Sequence, residues 1–131
     1  MVPGFSLTIE PTGATGLAVG YCEGKGTYAL SGGTLTVLGG VVLGYNAQAN
    51  QDGVGIFNQT GGTAAFDTLV LPGGSAPPTN PGEMSAYNLS AGSLTVREEC
   101  VGGIYQGAFN QSGGTHTVLF NMHLGGANGH G

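Results

Sequence analysis

Basic residues are almost missing: Lys25 and Arg97 are the only cations among 131 residues, against seven acids, for a net charge of −5. Nucleic acids and anionic membrane surfaces are bound through clustered Lys and Arg, so neither partner is expected. Charged residues make up 7% of the chain and apolar residues 40%, the reverse of the composition that keeps a chain disordered. No apolar run approaches the ~20 residues of a membrane span, so membrane insertion is not expected either. Two cysteines, Cys22 and Cys100, are too few for a disulfide scaffold and too distant for a CxxC metal or redox motif. The start, Met1-Val2-Pro3-Gly4-Phe5, has no basic n-region or apolar h-region, so no signal peptide is visible.

Glycine is abundant instead, with 28 residues, but it does not fall at every third position as collagen requires. It comes as doublets, Gly32-Gly33, Gly61-Gly62 and Gly113-Gly114, with Ala91-Gly92 in the equivalent place. Aligned on these pairs, the chain reads YALSGGTLTV, FNQTGGTAAF, YNLSAGSLTV and FNQSGGTHTV. Each block carries an aromatic four residues before the pair: Tyr28, Phe57, Tyr87 and Phe109. The pairs recur at 29, 30 and 22 residues, so the block is constant and the linkers vary. Blocks with Tyr and Leu-Ser alternate with blocks carrying Phe-Asn-Gln, as duplication of a two-block unit would produce. A second ladder follows, LAVG, VVLG, LVLP, ECVG and MHLG, and Ser6-Leu7-Thr8-Ile9 supplies a fifth copy of the TLTV segment.

In TLTV, Thr34 and Thr36 alternate with Leu35 and Val37, the period of a half-buried strand with threonine outward. No segment has a helical period. Short strands of 4 to 6 residues, glycine turns and a repeat of 22 to 30 residues predict a single all-β domain over 1–131. Its architecture is a parallel β-solenoid of about five coils, whose core forms only when coils stack. An antiparallel sandwich also has short strands and turns, but it does not account for matched residue ladders. Loop insertions are expected at 45–55 and at 72–84, the second holding four of the six prolines. Gly33, Gly62, Gly92 and Gly114 are the turn glycines, and the four aromatics form a stacked core ladder, with Asn58, Asn88 and Asn110 outward beside it. Cys22 and Cys100 should lie three strand steps apart, about 14 Å, beyond disulfide reach.

These blocks resemble the glycine-rich β-strand repeats of large secreted bacterial proteins, autotransporter-type passengers included, in which units such as LSGGTLTV and FNQSGGT recur. The similarity covers roughly Gly26 to Gly125. It implies a parallel β-solenoid, an extracellular or cell-surface location, and a place among adhesins, surface layers and filaments.

Catalytic β-helices that cleave acidic polysaccharides share such a fold and cluster Asp, Arg and Lys. Here the acids Glu10, Glu23, Asp52, Asp67, Glu83, Glu98 and Glu99 are scattered, and Arg97-Glu98-Glu99 reads as a solvated charged corner. No enzymatic role is expected. The GGxGxD motif of calcium-binding solenoids is absent, and the spacing of His116, His123 and His130 fits neither a helical nor a strand pairing. His116 occupies the inward column of Leu7, Leu35, Ala64 and Leu94, which favours a core position over a metal ligand. No cofactor or metal is therefore expected.

The leading expectation is a structural subunit that stacks head to tail with copies of itself, with Leu7 and Ile9 at one end and Met122 and Leu124 at the other. The alternative is a binding module: an adhesin-like binder of surface glycans, or an ice binder using the outward threonines of Thr34-Leu35-Thr36, Ser93-Leu94-Thr95 and Thr115-His116-Thr117. That ladder breaks at Thr63-Ala64-Ala65.

Overall fold

The computed structural model describes residues 5–10, 15–21, 24–45, 53–71, 84–102 and 107–125. They form ten strands and no helix: β1 (Ser6–Ile9), β2 (Thr15–Tyr21), β3 (Lys25–Leu30), β4 (Thr34–Tyr45), β5 (Val54–Gln59), β6 (Thr63–Leu71), β7 (Ser85–Leu89), β8 (Ser93–Val101), β9 (Gly107–Gln111) and β10 (Thr115–Leu124). All pairings are parallel. The larger sheet runs β1-β4-β6-β8-β10, with β2 also paired to β4, and the smaller runs β3-β5-β7-β9. From β2 onward, strands next in sequence alternate between the two sheets. The antiparallel sandwich is thereby excluded.

The register coincides with the alignment of the repeat blocks. Leu7, Leu35, Ala64, Leu94 and His116 are successive partners, as are Tyr28, Phe57, Tyr87 and Phe109. Inward residues from both sheets fill one core, in which Leu35, Val41, Leu69 and Leu94 from one side and Phe57 and Tyr87 from the other are fully buried. Each fully buried apolar side chain contributes ~1.5–3 kcal/mol, and none gains that within a single repeat.

Apart from the four-residue β1, the strands of the larger sheet are longer than the sequence implies. TLTV and the VVLG that follows lie in one 12-residue strand, β4, because the backbone stays extended through a bulge. The register shifts between Val37 and Gly40 and again between Val118 and Asn121. Leu38 and Gly39 on β4, and Leu119 and Phe120 on β10, stand opposite the single residues Asp67 and Arg97. Such a bulge bends a strand without ending it. Strand structure also enters the expected 45–55 loop from both sides, since Tyr45 closes β4 and Val54 and Gly55 open β5. The remainder, 46–52, the 72–83 part of the second expected insertion, Cys22 and His130 lie outside the described residues.

The turns depend on glycine. Gly33, Gly62, Gly92 and Gly114 have φ between 71° and 88°, a region costly for residues with a Cβ. A Cβ on Gly92 would also come within 2.4 Å of the Gly62 carbonyl oxygen one strand below. That carbonyl accepts a hydrogen bond from the Ser93 N–H at 3.0 Å, so backbone pairing continues through the stacked turns. The glycines that close the second ladder, Gly20, Gly44, Gly102 and Gly125, likewise have positive φ.

Candidate functional site

Along β3, β5, β7 and β9 the aromatic column is continuous. Ring centroids lie 4.9 Å apart for Tyr28–Phe57, 4.5 Å for Phe57–Tyr87 and 5.3 Å for Tyr87–Phe109, all stacked. Phe66 from the larger sheet meets Phe57 and Tyr87 edge-on. The His116 ring stacks on Phe109 at 4.2 Å, so the column passes from one sheet to the other at its last layer. Beside it, Asn88 Nδ2 donates to Asn58 Oδ1 at 2.8 Å and Asn110 Nδ2 donates to Asn88 Oδ1 at 2.9 Å.

Buried polar groups lie inside this framework. Tyr87 donates its hydroxyl to Gln59 Oε1 at 2.6 Å, and Gln59 Nε2 donates to the Ser93 and Gly62 carbonyls. In strand register, Gln59 and Gln111 alternate with Leu30 and Leu89. The alternation of blocks therefore has a physical basis here: a buried tyrosine hydroxyl needs an acceptor, and the neighbouring Phe-Asn-Gln block supplies it.

Glu99 overturns the reading of a solvated corner. Arg97 and Glu98 are exposed, but Glu99 is 1% exposed and occupies the inward column of Leu17, Val41, Leu69 and Met122. Its Oε2 lies 2.7 Å from His116 Nε2, while its Oε1 has no hydrogen-bond partner. Burial pushes the Glu99 carboxyl up, against the opposite pull of His116. The Tyr87 hydroxyl is likewise pushed up by burial and by the Glu99 charge. This internal pair was not legible in the sequence, where seventeen residues separate its members.

His123 pairs in register with half-buried Cys100 and alternates with the inward Met122, so the seven-residue spacing does not bring it to His116. Among the described residues, no group of three or more His, Cys, Asp or Glu could hold a metal ion. No helix among them is long and apolar enough to cross a membrane.

At the stack ends, Leu7 and Ile9 are half-buried against the core, whereas Met122 and Leu124 are 44% and 63% exposed. These four do not share columns. Leu7 heads the column that ends at His116, Ile9 the one that ends at Val118, and Met122 ends the column that begins at Leu17.

The outer face of the larger sheet carries two hydroxyl-rich columns. Ser6, Thr34, Thr63, Ser93 and Thr115 form one, and Thr8, Thr36, Ala65, Thr95 and Thr117 the other. At the bulge beside them, Arg97 Nη1 donates to Asp67 Oδ1 at 2.9 Å and the guanidinium lies 5.0 Å from the Phe120 ring centre.

These features define a stacked, all-parallel β-sheet protein with one mixed aromatic and aliphatic core. Compared with known proteins, the chain matches no family model, no curated protein and no solved structure.

Proposed function

We propose that the chain is a β-solenoid of about five coils acting as a structural module, which assembles end to end with copies of itself in an extracellular filament or surface layer. The carrying observation is the outer edge of β10. Among the described residues it pairs with β8 alone, and its inward-column residues Met122 and Leu124 are exposed. An unpaired parallel edge with apolar side chains in line with a core is a template for further strands. At the opposite end Leu17 heads the column that Met122 ends, and Leu7 and Ile9 head those that end at His116 and Val118, so a second copy would extend the same core. Such a contact repeats without closing and produces a fibre.

Sedimentation velocity and electron microscopy test this reading. The wild type is expected to form filaments with an axial repeat near 24 Å, five strand spacings of ~4.8 Å. Met122→Lys with Leu124→Lys should leave it dispersed, because two charges would be buried at the joint. A wild type that stays monomeric at high concentration would overturn the proposal.

A second reading, a binding module for glycans or ice, is favoured by the two hydroxyl columns, whose regular spacing presents hydrogen-bonding groups on an open face.

A further inference from the structure

The bulge of the larger sheet borders an open surface groove of about 480 Å³. We infer that this groove is a subsite for a short segment of a neutral oligosaccharide. The inference rests on the second reading and is independent of end-to-end assembly.

Ala65 is the one residue of its outward column without a hydroxyl, and it lines the groove between Thr36 and Thr95 on the neighbouring strands. A short side chain there opens a recess, and the flanking hydroxyls stand two strand spacings apart, about 10 Å. Leu38 and Leu119, each 56% exposed, flank it with apolar surface suited to the C–H faces of pyranose rings. The Asp67–Arg97 pair also lines it. A carboxylate accepts from sugar hydroxyls, and a guanidinium has more N–H donors than one carboxylate oxygen uses.

Charge decides the class of ligand. Arg97 is already paired with Asp67 and the chain carries a net charge of −5, so a uronate or sulfated glycan would be repelled. A peptide adding as a strand is disfavoured because the groove opens on a sheet face, where the strands on both sides are already hydrogen-bonded.

The test titrates the wild-type protein with neutral β1,4-linked tetrasaccharides of glucose, N-acetylglucosamine and xylose, by calorimetry and by NMR chemical shifts. At least one is expected to bind and to shift the Thr36, Ala65 and Thr95 signals. Ala65→Thr restores the hydroxyl column and fills the recess, and Arg97→Gln with Asp67→Asn keeps the shape but removes the charges. Each should weaken binding by about tenfold, the first by filling the recess and the second by the loss of one or two hydrogen bonds. Unchanged affinity in both variants would overturn the site and leave a glycan-binding module that uses another surface. No binding by any of the three sugars would overturn the inference itself, while ice-recrystallisation inhibition separately tests the remaining part of the second reading.

Discussion

Glu99 Oε2 and His116 Nε2 are 2.7 Å apart between neighbouring strands, with side-chain exposures of 0% and 11%. The hydrogen bond requires a proton that either the imidazole or the carboxyl supplies. One strand below, the same inward column holds Leu69, and below that Val41. A carboxyl in this position gives up hydration that only one of its oxygens recovers through a hydrogen bond.

The buried Glu99 carboxyl makes stability depend on pH with a definite sign. Burial raises the folded-state pKa of Glu99 above its ordinary 4.5, so folding favours the protonated form. That contribution is full below the ordinary value and is lost as pH rises through the folded one. Glu99→Gln removes the ionisation and keeps a group able to hydrogen-bond to His116. In urea unfolding it should match the wild type near pH 4 and exceed it by about 1–2 kcal/mol at pH 8. A wild type that gains stability relative to the variant across that interval would refute the assignment.

Removing the other partner should act in the opposite direction. His116→Ala leaves both Glu99 oxygens without a partner and removes the ring stacked on Phe109. The expected loss is about 3 kcal/mol at pH 8, where Glu99 must ionise or take up a proton, and clearly less near pH 4. Equal losses at the two pH values would mean that packing alone is involved.

Tyr87 and Gln59 should be strongly non-additive. Tyr87→Phe leaves the buried Gln59 Oε1 without its donor, and Gln59→Leu leaves the Tyr87 hydroxyl without its acceptor. Each single change should cost ~1–3 kcal/mol, and the double change should cost less than the sum by at least about 1 kcal/mol. A double-mutant cycle by thermal or urea unfolding measures this coupling.

At the turns, Gly92→Ala should destabilise by more than ~2 kcal/mol, combining positive φ with the clash against the Gly62 carbonyl. The adjacent Ala91→Gly, which meets neither constraint, should stay within ~1 kcal/mol. Melting temperatures of the two variants give the comparison.

In the amide ladder, Asn88→Ala breaks two rungs, to Asn58 and from Asn110, whereas Asn110→Ala breaks one. The first should cost about twice the second, within the ~0.5–1.5 kcal/mol expected per hydrogen bond. Negligible losses for both variants in denaturant titrations would show that the ladder carries no net stabilisation.

What the amino-acid sequence by itself determined are the features that recur at matched positions from layer to layer. Glycine pairs, the aromatic four residues ahead of them and the alternation in TLTV align by eye, and strand register follows that alignment because each layer offers the same backbone environment. All-β, parallel pairing follows from the same ladders. Tertiary structure alone decided what happens beyond the bulge. Two residues at 38–39 and 119–120 face one at 67 and 97, and a shift of one position exchanges the inward and outward faces of a strand. Glu98 and Glu99 are therefore indistinguishable as letters, yet one is solvated and the other lies in the core beside His116. The groove at Ala65 has the same origin, since Leu38, Asp67, Arg97 and Leu119 become neighbours only when four strands stack around the bend.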